Sequence, residues 1–266
     1  MKNKREQEIK KTIRKTYSKI ALQHDNNNAG SSSSCCAPGC CSGGGDSPTE
    51  AATVVGYDSS ELESVPQASV LGVGCGAPVK LADLQKGETV VDLGSGAGID
   101  VFLSSRWVGV HGRVIGIDMT DEMLERATKN AKEGGYTNVE FRKGDIEKRI
   151  PVDEGSADIV ISNCVINLTM NKVNAFKEVH RILKSGGGRM VISDLVTDAE
   201  VLPDAANAEK WSSCVDGALT KEHYLDTIKK AGFQNVEVLS ETLYMDGGEQ
   251  ADGRKISSVV IRAVKT

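Results

Sequence analysis

Three cysteines that lie far apart in the sequence offer the clearest chemistry. They are Cys75 in VLGVGCGAP, Cys164 in SNCVINL and Cys214 in WSSCVDGAL. Their separations match no zinc ribbon or zinc finger, so we expect no structural zinc site. Thiolates select soft ions. Three thiolates gathered around one point would therefore hold a soft, thiophilic acceptor rather than an oxygen or nitrogen acceptor.

Four more cysteines fall within a short stretch near the N-terminus, DNNNAGSSSSCCAPGCCSGGGDSPTEAAT. They are Cys35, Cys36, Cys40 and Cys41. The stretch is rich in Ser, Gly and Asn and cannot bury enough apolar surface to order itself, which predicts a flexible loop. Two interpretations stay open: a thiol-bearing arm that takes part in chemistry, or a solvated linker whose cysteines are incidental.

A glycine-rich turn indicates a nucleoside site. The stretch VVDLGSGAGID has Gly94, Gly96 and Gly98 directly after an apolar strand. Glycines let the backbone turn sharply and approach a ligand closely. The G-x-G-x-G spacing differs from the G-x-G-x-x-G of dinucleotide enzymes, and Asp92 just before it would repel a pyrophosphate. We therefore predict a ligand with a nucleoside and no phosphates.

Acidic residues end the next two predicted strands. Asp118 closes GRVIGID, and a carboxylate there accepts hydrogen bonds from ribose hydroxyls. Asp145 follows NVEFRKG and precedes Ile146, at a strand end from which it can reach an adenine amino group. Met119 is predicted to pack on the adenine face. Together with Asp92, these acids make the nucleoside prediction specific.

The elements that position these residues alternate regularly from residue 88 onward. Strands alternate with helices, which predicts an α/β fold with a doubly wound, mostly parallel sheet. Two C-terminal strands, NVEVLSETLYM and SSVVIRAVK, are predicted to pair antiparallel. Residues 5–22 form a predicted amphipathic helix that docks over the core or the cleft. We expect residues 1–60 to form this helix and the arm, and residues 61–266 to form the ligand-binding domain.

Composition excludes several functional classes. The 266 residues carry a formal net charge of −5, which argues against non-specific binding of nucleic acid. The chain has no apolar run long enough to cross a bilayer and no secretory signal. We therefore expect a cytoplasmic protein without a membrane partner. In that compartment seven cysteines favour thiol chemistry or metal binding over a framework of structural disulfides.

These motifs resemble a known family. The glycine turn, the acids and the antiparallel C-terminal strands resemble the class I S-adenosylmethionine-dependent methyltransferases, with their Rossmann-like fold, over about residues 85 to 265. The stretches YDSSELESVPQASVLGVGCGAPV, SNCVINL and WSSCVDGAL are similar to those of the arsenite methyltransferases. The resemblance implies S-adenosylmethionine as methyl donor. From its place at the end of the fourth predicted strand, we expect Asn163 to position the methionine part of that cofactor through its backbone, and we expect Tyr17 and Tyr57 to border its pocket.

The resemblance also implies roles for the cysteines. Those matching Cys164 and Cys214 hold trivalent arsenic, and the one matching Cys75 takes part in arsenic binding and in a disulfide formed during turnover. An additional N-terminal cysteine completes the redox pair. Cys41 is our candidate for it, and the three other arm cysteines remain alternatives. The implied partners are arsenite or its thiol conjugates and a thiol reductant such as thioredoxin or glutathione.

Two other functions stay open. A ubiquinone- or menaquinone-type C-methyltransferase has a similar fold core but requires neither Cys164 nor Cys214. A non-catalytic metalloid sink or sensor would use CCAPGCC as a capture arm, but it leaves the acids at the strand ends unexplained. Longer relatives in the arsenite family carry a further C-terminal domain. We expect this chain to lack that domain, because it stops after the last predicted strand.

Overall fold

The computed structural model describes residues 2–23, 47–202, 205–248 and 251–266. The four cysteines of the predicted arm, Cys41 among them, lie outside these described residues. Eight strands occur within the described residues: β1 (Thr89–Leu93), β2 (Arg113–Asp118), β3 (Val139–Lys143), β4 (Ile159–Asn163), β5 (Arg189–Thr197), β6 (Leu219–Thr220), β7 (Gln234–Asp246) and β8 (Lys255–Val264).

Helices flank these strands along the chain. They are α1 (Lys2–Gln23), α2 (Pro48–Val54), α3 (Ser59–Glu63), α4 (Pro78–Leu81), α5 (Ile99–Val108), α6 (Asp121–Glu133), α7 (Lys172–Ile182), α8 (Ala208–Ser212) and α9 (Lys221–Lys230). Within the described parts of the chain, every helix is too short or too polar to cross a bilayer. The predicted domain boundary at residue 60 falls inside α3.

The strands form one mixed sheet in the order β3-β2-β1-β4-β5-β8-β7, with β6 paired to the end of β5. Strands β1 to β5 pair in parallel with one another, while β8 runs antiparallel to both β5 and β7. The predicted doubly wound α/β fold with an antiparallel C-terminal part is therefore confirmed. The direction of winding reverses between β1 and β4, and such a switch point opens a crevice at the carboxyl ends of the strands.

Helix α1 packs across that crevice, as its pattern predicted. Ile9, Ile13 and Ile20 recur at helical spacing and are buried. Two polar contacts anchor the helix on α6: Ser18 Oγ donates to Glu122 at 2.8 Å, and the buried Arg126 donates to the Ala21 carbonyl at 2.8 Å. The same helix also contacts α8. It therefore spans from the α6 side of the crevice to the segment that carries Cys214.

Candidate functional site

The glycine turn follows β1 and forms one wall of a cavity. Gly94 has φ +68°, and a Cβ there would lie 2.3 Å from a methyl carbon of Val165. Gly98 has φ +99° and is the N-cap of α5, where a Cβ would meet the Phe102 ring at 2.7 Å. Gly94 and Gly96 line the cavity, whereas Gly98 does not. The last glycine therefore serves the close packing of helix and strand rather than ligand contact.

The cavity lies at the carboxyl ends of β1 to β4 and encloses about 1180 Å³, including the open space at its mouth. Most residues that the sequence assigned to the cofactor line it: Asp92, Gly94, Gly96, Asp118, Met119, Asp145, Ile146 and Asn163. Tyr17 and Tyr57, expected at its border, also line it. The parallel register of the strands explains this gathering, because their carboxyl ends meet at one edge of the sheet.

The two acids at the ends of β2 and β3 already have partners. Asp118 accepts hydrogen bonds from the Gly96 and Thr120 backbone amides at 3.0 and 2.8 Å. Burial nevertheless raises its pKa above the ordinary value, because desolvation outweighs these bonds. Asp145 forms an ion pair with Lys10 of α1 at 3.0 Å. Lys10 also pairs with Glu147, so α1 is tied electrostatically to the wall where an adenine is predicted to lie.

A second pair of acids lies deeper in the cavity wall. The Tyr57 hydroxyl lies 2.8 and 2.9 Å from the two carboxylate oxygens of Asp100 and donates its one proton to this carboxylate, and Asn163 Nδ2 donates to it at 3.4 Å. Burial raises the pKa of Asp100 to about 6. Burial and the nearby charges of Asp100 and Asp118 raise the pKa of Asp92 well above its usual range. The cavity therefore concentrates unscreened negative charge that a cationic ligand can neutralise.

The sequence reasoning missed Asp100 and Lys10. Asp100 is in the first turn of α5, directly after the glycine turn, so the signal was present in the quoted motif. Ser95 was also missed: the residue lines the cavity, and its buried hydroxyl has no hydrogen-bond partner among the described residues. An orphaned buried hydroxyl in a cavity wall is typical of a ligand site, because leaving it unpaired is unfavourable.

The three separated cysteines come together at the edge of this cavity. The Sγ atoms of Cys75 and Cys164 lie within 4.8 Å of each other and of a carboxylate oxygen of Asp194. The Cys214 thiol donates to the Cys164 carbonyl at 2.9 Å. Cys164 lines the cavity, while Cys75 and Cys214 are buried behind it. The fold therefore joins a thiol cluster, defined here as Cys75, Cys164 and Cys214, to the cofactor-sized cavity through Cys164.

Two of these cysteines have unusual backbone conformations. Cys164 has φ +58° and Cys214 has φ +66°, both in the left-handed region that residues with a Cβ avoid. Such strain costs about 1–3 kcal/mol per residue and is found mostly at functional sites. Cys75 is held differently: its amide donates to Asn163 Oδ1 at 3.0 Å. Asn163 therefore links the thiol cluster to Asp100 in the cavity wall.

The thiols of Cys164 and Cys214 are held in their neutral form. Hydrogen bonds with the Cys214 and Cys75 thiols, and then burial, raise the pKa of Cys164 well above its ordinary value. The contact with Cys164 lowers the pKa of Cys214, but burial and the charges of Asp194 and Cys75 give a net upward shift. Cys164 and Cys214 are therefore neutral thiols at neutral pH and lose their protons only when a ligand replaces them.

A buried acid and a buried base lie next to the cluster. Asp194 accepts hydrogen bonds from the Tyr224 hydroxyl at 2.9 Å and the Asn167 amide at 3.0 Å, and burial raises its pKa to about 6. Lys172 Nζ donates to the Thr169 carbonyl at 3.0 Å and lies 5.5 Å from the centre of the Trp211 ring. Burial lowers the pKa of Lys172 to about 8.

Comparison with known proteins identifies the family. Residues 84–232, more than half of the chain, match the family model described as "Methyltransferase domain". An arsenite methyltransferase of Halobacterium salinarum is 43% identical over 185 residues, 69% of this chain and 47% of that protein. Another from Aquipseudomonas alcaligenes is 35% identical over 66% of this chain and 52% of its own length. The chain thus spans about half the length of these curated relatives.

A solved structure agrees with this comparison. The crystal structure of an arsenic(III) S-adenosylmethionine methyltransferase from Chlamydomonas reinhardtii is similar with a TM-score of 0.65 and 29% identity. The match covers 83% of this chain and 74% of that one. The matched family region contains the glycine turn, the strand-end acids, Cys164 and Cys214. This chain belongs to the methyltransferase domain family.

Proposed function

We propose that this chain transfers methyl groups from S-adenosylmethionine to trivalent arsenic held by the thiols of Cys75, Cys164 and Cys214. The observation that carries the proposal is the convergence of these thiols at the edge of the cavity, with Cys164 in its wall. The names of the relatives and of the similar structure support the same substrate and donor.

The cavity residues fit the cofactor. S-adenosylmethionine carries a sulfonium and an ammonium, and the buried carboxyls of Asp92 and Asp100 would neutralise positive charge there. The orphaned hydroxyl of Ser95 and the carboxylate of Asp118 would bind polar groups of the nucleoside. When bound, the cofactor supplies an electrophilic methyl group, which the arsenic lone pair takes without release of a proton from the nucleophile.

The neutral thiols suit arsenite as a substrate. Arsenite at neutral pH is the uncharged As(OH)₃, and each thiol condenses with one hydroxyl to give an As–S bond and a water molecule. Neither partner changes its net charge in this exchange. The raised pKa of Cys164 and of Cys214 therefore does not oppose binding, whereas it would oppose a charged acceptor that must displace thiol protons.

The chain's residues then act by holding and orienting arsenic. A thiolate-bound arsenic retains its lone pair, so no general base is needed in the methyl-transfer step. The Cys75 and Cys164 sulfurs already lie close together and the Cys214 thiol contacts the Cys164 carbonyl, while the hydrogen bond from the Cys75 amide to Asn163 fixes Cys75 relative to the cavity. Alignment of reactants of this kind contributes several kcal/mol to catalysis.

Turnover requires electrons as well as methyl groups. Methyl transfer raises the formal oxidation state of arsenic by two, and oxidation of two thiols to a disulfide, with loss of two protons, returns it to the trivalent state. We assign this step to Cys75 and an N-terminal cysteine, with Cys41 as our candidate. An external thiol reductant such as thioredoxin or glutathione would then reset the pair.

Incubation of the purified chain with S-adenosylmethionine, arsenite and a thiol reductant tests the proposal. Arsenic species are separated and counted, beside the variants Cys164→Ser and Cys214→Ser. We expect methylated arsenic from the wild-type chain and none from either variant. Ser213→Ala is a matched control, because it changes the neighbour of Cys214 and removes only a bond to the Lys210 carbonyl.

Other outcomes would favour other functions. Tight binding of arsenite with no methylated product would indicate a metalloid sink or sensor. Neither binding nor methylation would make the cysteines incidental and would favour a C-methyltransferase acting on a quinone-type acceptor. Methylated arsenic that persists in both thiol variants would contradict the thiol-bound acceptor.

A further inference from the structure

A carboxylate lies against the thiol cluster, and arsenic has no need of it. The Sγ atoms of Cys75 and Cys164 and one carboxylate oxygen of Asp194 all lie within 4.8 Å of one another. Asp194 is fully buried on β5, and its neighbour Ser193 contacts the Cys75 thiol at 3.7 Å. A trivalent arsenic with three sulfur ligands has its bonds complete, so this fourth donor has another use.

Asp194 is held rigidly with one acceptor position left. It accepts bonds from the Leu195 amide at 2.9 Å, the Asn167 amide at 3.0 Å and the Tyr224 hydroxyl at 2.9 Å. An ionised carboxylate has about four lone-pair sites, so one remains for a further partner. In metal sites, hydrogen bonds donated to a ligating carboxylate orient it toward the metal.

We propose that Cys75, Cys164 and Asp194, whose ligand atoms already lie together, form a tetrahedral site for a divalent cation with a filled d shell, such as Zn²⁺ or Cd²⁺, with Cys214 as the fourth ligand once its thiol leaves the Cys164 carbonyl. Cysteine sulfur and carboxylate oxygen are both ligands of such ions, which take four donors. Trivalent arsenic keeps its lone pair in place of a fourth donor. Asp194 therefore distinguishes the two kinds of ligand.

The fold assembles this site from segments that the sequence keeps apart. Cys75 precedes α4, Cys164 follows β4, Asp194 lies on β5 and Cys214 follows α8. The sequence analysis expected no structural zinc site, because the cysteine separations match no ribbon or finger, so this proposal departs from that expectation and rests on the tertiary arrangement instead. The buried ammonium of Lys172, which interacts with both Asp194 and Cys214, offsets part of the negative charge that three thiolates and a carboxylate bring.

A cation in this site would exclude arsenite, because it uses the same three thiols. This competition rests on the proposed function, whereas binding of the cation does not. Binding releases thiol protons to solvent and transfers no electrons, so it needs no reductant or oxidant. The site would make methyl transfer sensitive to the concentration of free divalent soft cations.

Cadmium binding to the reduced, full-length chain tests the inference. Cadmium K-edge absorption on the wild-type protein counts sulfur and oxygen neighbours, and calorimetry compares the wild type with Asp194→Asn. We expect three sulfurs and one oxygen, and an affinity about tenfold or more lower in the variant, as with loss of other metal-site partners. Thr197→Val is the matched control on β5, because its hydroxyl bonds only with Ala199, and it should keep the wild-type cadmium affinity.

Each outcome of the cadmium measurements either supports or overturns the proposed cation site. A shell of sulfur alone, or equal cadmium affinity in the wild type and Asp194→Asn, would overturn the inference. If that variant does not fold, infrared difference spectra of the wild type replace it, and an unshifted carboxylate band on cadmium addition would overturn the inference. Failure of the proposed function would appear separately, as absence of methylated arsenic from cadmium-free wild-type protein.

Discussion

The left-handed backbone at Cys164 leads to a measurable prediction about stability. Placing a residue with a Cβ in this region lowers the free energy of unfolding by about 1–2 kcal/mol relative to glycine. Glycine in turn lowers the free energy of unfolding by about 0.4–1 kcal/mol, because its unfolded chain has more conformational freedom. Cys164 has φ +58°. We therefore expect Cys164→Gly to be more stable than Cys164→Ala by about 1 kcal/mol, although neither variant retains the thiol.

Cys75 supplies the control within the same cluster. It is not among the described residues with positive φ, so Cys75→Gly should be less stable than Cys75→Ala by about 0.5–1 kcal/mol. Urea unfolding of the four reduced, arsenic-free variants gives the free energies of unfolding. The expected melting shift at residue 164 is about 2–4 °C. If the glycine variant is less stable than the alanine variant at residue 164 as well as at residue 75, the backbone of Cys164 is not strained.

Three other measurements follow from the site. Burial raises the pKa of Asp100 to about 6, and Asp100 pairs with a cation only when it is ionised. The affinity for S-adenosylmethionine, measured by calorimetry, should therefore fall about tenfold from pH 7 to pH 5. An equal fall in the Asp100→Asn variant would contradict this. Lys10→Met removes the ion pairs that tie α1 to Asp145, and hydrogen exchange in α1 should accelerate while exchange in β1 stays unchanged. Between pH 6 and 8, arsenite affinity should stay constant while cadmium affinity rises, because only the cation must displace the proton of Cys164. If arsenite and cadmium affinities changed with pH in the same way, Cys164 would not be a neutral thiol.

Local sequence was sufficient for the framework of the site. The glycine turn after β1 and the acids at the ends of β2 and β3 were predictable, because parallel strands bring their carboxyl ends to one edge. Cys164 at the end of β4 follows from the same rule. Cys75 and Cys214 could be assigned only through the family resemblance, since no spacing rule brings residues from a loop and from α8 to that edge.

Residues that act through tertiary contacts were not predictable. Asp194 lies inside the strand RMVISDLVT and Lys172 begins an ordinary amphipathic helix, so neither differs locally from a structural residue. Their placement against the thiols depends on how β5 and α7 pack. Gly98 shows the reverse case: its motif indicated cofactor contact, but packing against Phe102 accounts for it. The role of Cys41 remains a prediction, because it lies outside the described residues.

Arsenic K-edge absorption of the arsenite-bound chain tests most directly that the thiol cluster holds the methyl acceptor. The account predicts three sulfur neighbours and no oxygen in the wild type. It predicts two sulfurs in Cys214→Ser, because that substitution removes one ligand and leaves Cys75 and Cys164 within 4.8 Å of each other. An arsenic shell that contains oxygen in the wild type, or one that Cys214→Ser leaves unchanged, would contradict the account.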